Sequence, residues 1–160
     1  MKQLFSSLPS AGGRPLQHLK TLTGLSRRRL RTEDVLDLIE NRELRWAWNI
    51  CRKDAIRPEL RFWRDSLMVY FVRESGAGDT TSFVEDLPLE EVINAILPRG
   101  KSPVIGIADL SQRFLCCPNH ILGLVRDGEL ESSTPLQSRF QASIRHQSAC
   151  EFLQRRCLTV

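Results

Sequence analysis

Lysine is scarce in this 160-residue chain, since 19 of its 23 cationic side chains are arginines. Aromatic residues occupy only 7% of positions, and no apolar run approaches the roughly 20 residues that a membrane-spanning helix needs. The five cysteines are odd in number and contain no Cys-x-x-Cys pair. These absences exclude a disulfide framework and predict a reduced, cytoplasmic protein without membrane contact.

Catalytic signatures are also missing. Gly76-Ala77-Gly78 is not followed by the Gly-Lys-Ser/Thr of a phosphate loop, and the three histidines have no acid or nucleophile at an informative spacing. His146, Cys150 and Cys157 could be drawn as zinc ligands, but a second pair of ligands is lacking. We therefore expect a protein that is not an enzyme and that uses no cofactor and no metal.

The arginine excess is confined to one half of the chain. Residues 1–80 carry 15 cations and 10 anions, a net charge of +5, whereas residues 81–160 carry 8 and 9, a net charge of −1. Arginine forms forked hydrogen bonds to phosphates and guanine edges that lysine cannot form. This distribution favours a nucleic-acid partner that meets the first half.

The chain contains an internal repeat. Val35–Leu44 matches Ile121–Leu130 at an offset of 86, and Phe62–Phe71 matches Ile144–Leu153 at an offset of 82. Composition predicts four parts: a flexible N-terminus at 1–13, one unit at 14–74, a linker with a short helix at 75–102, and a second unit at 103–160. Each unit is therefore expected to fold in the same way.

The second unit has the clearer pattern. Ile107, Leu110 and Phe114 predict one helix, and Pro118 opens another with Cys117 at its N-cap. Gly128 suits a left-handed end to that helix. A short strand before residue 145 and a helix at 147–156 complete a helix, tight turn, helix, β-hairpin and helix. The fold class is thus mainly α with small β-hairpins (α+β), in the form of tandem winged helix-turn-helix units.

The segments GIADLSQRFLCCPNHILGLVRDGEL and SIRHQSACEFLQRR resemble the excisionase- and MerR-like helix-turn-helix family over residues 106–156. Leu115 stands where that family usually has a turn glycine. The first unit resembles the same family over 30–73. The resemblance implies a winged helix that binds DNA in a bacterial, phage or mobile-element setting, with the second helix in the major groove and the wing along the backbone.

Within the first unit, Thr32 is predicted to cap a helix that carries acidic residues in its first turn. Strict alternation over 44–50 places Leu44, Trp46, Trp48 and Ile50 on one face of a strand. The wing tip is expected at 51–58, and the tryptophans are expected to pack in the core rather than to stack on a ligand. The sequence pattern for the first helix of this unit is weak. Either its apolar face is formed by Leu16, Leu19, Leu22 and Leu25, or the helix has degenerated in this copy of the repeat.

Candidate DNA contacts follow from these placements. The second helix of unit 2 exposes polar side chains that can recognise bases, while the arm and wing of unit 1 carry the arginines that suit phosphates. The predicted DNA-binding residues are Arg27, Arg28, Arg29, Arg31, Arg45, Arg52, Lys53, Arg57, Arg61, Asn119, His120, Arg126 and Arg145. The corresponding helix of unit 1 presents four carboxylates, Glu33, Asp34, Asp37 and Glu40, and is therefore a poor reader of DNA.

The sequence thus predicts a sequence-specific DNA-binding protein, either a regulator of transcription or an excisionase-like accessory factor of recombination. The alternative is a protein-interaction adaptor whose winged units no longer bind DNA, which the acidic helix and the near-neutral second half favour. The expected partners are double-stranded DNA, a second copy of the chain, and a recombinase or another protein.

Overall fold

The computed structural model describes residues 18–21, 31–74, 76, 87–134 and 142–158. These residues form an α+β fold whose elements, in chain order, are β1 (Leu19–Lys20), α1 (Thr32–Glu40), β2 (Ala47–Asn49), β3 (Leu60–Trp63), α2 (Arg64–Glu74), α3 (Leu89–Ile96), β4 (Val104–Gly106), α4 (Ile107–Phe114), α5 (Pro118–Arg126), β5 (Ser143–Arg145) and α6 (His146–Arg156). No helix in this described part is long and apolar enough to cross a membrane.

The three helices of the second half follow the predicted order. The strand before α6 pairs with β4, which precedes α4 and was not predicted; within the described residues, the predicted hairpin is represented by the bridge between Ser132 and Ile144. Helices α4 and α5 are joined by a tight turn in which Leu115 adopts a left-handed conformation, with φ 52°. Cys117 is the N-cap of α5 and Pro118 its first residue, as predicted. Gly128 takes the expected left-handed conformation after α5, with φ 75°. Strands β4 and β5 pair antiparallel with Val104 opposite Arg145, so that α6 begins beside the start of β4, where the His146 N–H donates to the carbonyl of Pro103.

The first half contains a three-stranded antiparallel sheet in the order β1-β3-β2. Helix α1 begins at Thr32 with Arg31 at its N-cap, so the prediction that Thr32 caps this helix is wrong by one residue. The Asp34 carboxylate accepts a hydrogen bond from the backbone N–H of Arg31 at 3.0 Å, which supplies the cap instead. The predicted N-terminus at 1–13 and the alternatives for the helix before α1 lie outside the described residues.

The two halves repeat one another at the level of individual hydrogen bonds. Helices α1 and α5 have nine residues each and are offset by 86 positions. After α1, the N–H of Leu44 donates to the carbonyl of Leu38, and after α5, Leu130 donates to Leu124 in the same way. The N–H of Arg45 donates to Ser66 Oγ, as the N–H of Glu131 donates to Ser148 Oγ in the second half. Likewise, the N–H of Arg64 donates to the carbonyl of His18, as the N–H of His146 donates to that of Pro103. The repeat therefore extends from sequence to backbone geometry.

One extra residue distinguishes the first copy. Ala47 pairs with Phe62, and the corresponding bridge of the second copy joins Ser132 to Ile144. Ala47 and Ser132 are therefore 85 positions apart, whereas the residues of α1 and α5 are 86 apart. Trp46, just before this pair, is left-handed with φ 62°. An extra residue of this kind reverses the faces on which side chains lie. Leu44 accordingly packs with the first half's own helices, and its predicted place beside Trp46, Trp48 and Ile50 is wrong.

The sheet of the first half is buried on both faces. Ala47 and Phe62 face a small core that contains Val35 and Leu67 of α1 and α2. The opposite face packs against the second half, and its tryptophans, Trp46, Trp48 and Trp63, are at most 7% exposed, as expected for core residues. Helix α3, from the predicted linker, also lies in this larger core through Val92, Ile93 and Ile96. The two halves therefore share one hydrophobic interior.

Candidate nucleic-acid interface

The hairpin loop of the first half lies across α5, the helix predicted to recognise bases. Arg52 donates from Nε and Nη2 to the two carboxylate oxygens of Asp127, each at 3.0 Å. A Cβ added to Gly123 would meet the Arg52 side chain at 2.6–2.8 Å, so the guanidinium group rests directly on the glycine backbone. This charge-assisted hydrogen bond lowers the pKa of Asp127 below its ordinary value.

A second contact joins the hairpin to the N-terminal part of α5. His120 Nε2 lies 2.7 Å from the carbonyl oxygen of Ile50 and 3.2 Å from a carboxylate oxygen of Glu59. The loop itself is pinned because Asn49 Oδ1 accepts hydrogen bonds from the backbone N–H groups of Cys51 and Glu59, each at 3.1 Å. The side chain predicted to reach DNA at position 120 thus holds the two halves together.

Arg61 is placed in the interior, and its predicted contact with phosphate requires a correction. Only 7% of this residue is exposed. Its guanidinium group donates to the carbonyls of Phe114 at 2.8 Å, Leu115 at 2.9 Å and Leu60 at 2.9 Å. Two of these carbonyls belong to the C-terminal end of α4, where the helix dipole favours a cation. Arg61 therefore caps a helix of the other half and cannot reach a nucleic acid.

The other predicted contacts divide by exposure. Arg45 is half-buried, with its guanidinium carbon 5.1 Å from the ring centre of Trp46. Arg145 is exposed and lies 3.5 Å from Glu131. The remaining described candidates are exposed side chains: Arg31, Arg52, Lys53, Arg57, Asn119 and Arg126. Arg27, Arg28 and Arg29 lie outside the described residues.

Exposed cations lie on both elements where the Arg52–Asp127 contact joins the hairpin loop to the end of α5. Lys53 follows Arg52 and Arg126 precedes Asp127 in the sequence, so the Arg52–Asp127 contact brings the loop beside the end of α5. Arg57 is on the same loop, five residues beyond Arg52. We call Lys53, Arg57, Asn119 and Arg126 the composite surface, because the two halves contribute to it jointly.

The role of Gly123 was missed by sequence reasoning. Gly123 lies one turn beyond the exposed Asn119 on the face of α5 predicted to meet DNA, yet it is buried beneath Arg52. A signal existed in the glycine itself, because glycine within a helix costs stability and often marks a close approach. The identity of the approaching side chain had no local signal, since Arg52 lies 71 positions earlier in the chain.

The cysteine and histidine pattern near the C-terminus forms no metal centre within the described residues. The imidazole of His146 is held by the carbonyl oxygen of Leu97, 2.8 Å from Nε2. Cys150 Sγ lies 3.7 Å from Nδ1 and 4.0 Å from Nε2 of the same ring. Nearly equal distances to both nitrogens place the sulfur away from the line of a hydrogen bond to either one.

Comparison of the chain with protein-family models, with curated proteins and with solved structures gave no match.

Proposed function

We propose that this protein binds double-stranded DNA through the composite surface and performs no catalysis. The architecture that we propose is two tandem winged helix-turn-helix units, in which the wing of unit 1 lies on the second helix of unit 2. The observation that carries the proposal is that the Arg52–Asp127 contact joins a loop with the exposed cations Lys53 and Arg57 to the end of α5, where Arg126 is exposed. Such a group suits the closely spaced phosphates of a duplex.

Base recognition in this arrangement is restricted to the two ends of α5. Asn119 and Arg126 are exposed and are of the types that recognise adenine and guanine, respectively. Between them, His120 is held by Ile50 and Gly123 is covered by Arg52. Phosphate contacts therefore supply most of the affinity, and sequence preference is modest compared with that of a fully exposed recognition helix.

Fluorescence anisotropy with a labelled duplex tests the proposal. Binding should weaken steeply between 50 and 200 mM salt, and Arg57→Gln or Arg126→Gln should each reduce the salt slope by about 1. Arg99→Gln, which removes the same charge from an exposed position between α3 and β4, is the matched control and should leave the slope unchanged. Absence of binding at 50 mM salt, or equal losses in all three variants, would overturn the proposal.

A second candidate function is a protein-interaction adaptor that has lost DNA binding. The observation that favours it is the wing lying across α5, because a helix covered along its centre cannot enter a major groove as deeply as a free one. The titration separates the two, since an adaptor of this kind would not bind duplexes at low salt. If DNA is bound, a genome-wide footprint distinguishes promoters from the attachment sites of mobile elements, and so transcription from recombination.

A further inference from the structure

Helix α1 is the counterpart of α5, but no hairpin within the described part of the chain covers its outer face. At the offset of 86, Asp37 takes the place of Gly123, and Asn41 takes the place of Asp127. In the second half these two positions hold the guanidinium group of Arg52. The molecule therefore shows, on one copy of the repeat, what kind of element docks on this helix face: an arginine-bearing β-hairpin.

The charge of the uncovered face fits the same kind of occupant. All of its acidic side chains are exposed, and together they form what we call the α1 acidic face: Glu33, Asp34, Asp37 and Glu40. Leu36 among them is 37% exposed, whereas its counterpart Leu122 is 5% exposed. An exposed leucine surrounded by carboxylates offers apolar contact together with a negative field, which suits arginine, a side chain with an apolar stem and a forked cation.

The hairpin of the same chain cannot occupy this face. Trp48 and Ile50 at its base are fully buried in the shared core, and Arg52 is already bound to Asp127. Detaching this hairpin would expose both apolar side chains to water. No hairpin within the described part of the chain is therefore available to the α1 acidic face, and the occupant that we consider is a hairpin of another polypeptide.

We propose that the α1 acidic face is a docking site for an arginine-bearing β-hairpin of a partner protein. The incoming guanidinium group pairs with Asp37, at the position where α5 has a bare glycine, and its stem packs on Leu36. Carboxylates repel phosphate, so this surface takes a protein while the composite surface stays available for DNA. This proposal does not depend on DNA binding, because the α1 acidic face and the composite surface consist of different residues.

The probe is a backbone-cyclised peptide of residues 46–63 with Cys51→Ser, which carries the hairpin sequence that occupies α5. It is titrated into the ¹⁵N-labelled full chain, and chemical-shift changes locate the contact. We expect shifts confined to residues 32–41 and about tenfold weaker binding in the double variant Asp37→Asn/Glu40→Gln. Glu91→Gln, which removes an exposed charge from the first turn of α3, should bind as the original chain does.

Two controls make the outcome decisive. A peptide in which citrulline replaces every arginine keeps the shape but loses the charge, and it should not bind. Binding that maps outside α1, or that survives both carboxylate replacements, overturns the proposal. Sedimentation of the full chain from 10 to 200 µM provides the second control, because a dimer that the double variant dissolves would assign the face to a second copy instead. The DNA titration is unaffected by either result.

Discussion

Two arginines on the same hairpin are both predicted from the sequence to contact DNA, and the structure buries one of them and exposes the other. Arg61 is 7% exposed and donates to three backbone carbonyls, while Arg57 is exposed at the loop. Replacing each by methionine keeps an unbranched apolar stem and removes the charge. We predict that Arg61→Met destabilises the fold and that Arg57→Met weakens DNA binding without lowering stability.

The magnitude follows from the carbonyls that Arg61 leaves behind. Those of Phe114 and Leu115 terminate α4 and lose their charged donor, and an unpaired buried acceptor costs about 1–3 kcal/mol. Burial lowers the pKa of Arg61, so part of this cost is offset because a partly desolvated cation is also removed. The expected net loss is about 3 kcal/mol, which corresponds to a fall in Tm of roughly 6–12 °C for a domain of this size.

Calorimetry measures this loss and tests the shared core at the same time. Because the guanidinium group joins the first half to α4 of the second, Arg61→Met should lower a single transition rather than split it. The free energy of unfolding of Arg57→Met should differ by less than about 0.5 kcal/mol from that of the original protein. A change below about 0.5 kcal/mol in Arg61→Met, or a second transition in the original protein, would refute this account of how the halves are joined.

Three further predictions follow from backbone conformation and burial. Arg42 and Gly128 occupy equivalent left-handed positions, so Arg42→Gly should stabilise by about 0.5–1 kcal/mol and Gly128→Ala should destabilise by about 1 kcal/mol in urea unfolding. Burial raises the pKa of Cys116 to about 12, so mass spectrometry at pH 8 should find iodoacetamide on the exposed Cys117 well before its neighbour. The hydrogen bond from Arg52 lowers the pKa of Asp127 from 3.8, so the stabilisation that this carboxylate gives the fold is complete above pH 3.8 and is lost as the pH falls through the folded-state pKa. The free energy of unfolding of Asp127→Asn should therefore depend less steeply on pH in that range.

The elements of the second half were predictable because local signals agree there. Ile107, Leu110 and Phe114 mark a buried helical face, and Pro118 and Gly128 mark the limits of α5. The offset of 86 then located α1 as well, although that helix has weaker limits. Each of these signals acts within a few residues, which is the range over which sequence patterns determine conformation.

The strand of the first half was predicted with an error because its pattern contains a hidden insertion. Alternation from 44 to 50 suggests one continuous face, yet Trp46 is left-handed and reverses it. Nothing in a tryptophan favours that conformation, since residues without a small or polar side chain rarely adopt it. The conformation is imposed by long-range packing, because it lets Leu44 fill one core and Trp48 the other.

The candidate site was harder to predict because charge alone does not reveal burial. Arg52, Arg57 and Arg61 lie on one hairpin, and a sequence pattern treats them alike. What separates them is the second half, where Asp127 binds the first and the end of α4 binds the third. These partners lie 53–75 positions further along the chain, and no periodicity links positions that far apart.

The contact between the two halves explains why two similar copies need not do the same thing. It joins the hairpin of one copy to the helix of the other, so it is a head-to-tail contact, and among the described residues the other helix, α1, has no hairpin on its outer face. The covered helix, α5, kept neutral or basic side chains at its ends and a glycine beneath Arg52. The uncovered helix, α1, instead carries Asp37 and Glu40, which no phosphate contact would favour. The head-to-tail contact places the loop cations of the composite surface beside α5 and not beside α1. We therefore expect the two equivalent helices to differ in charge, as they do.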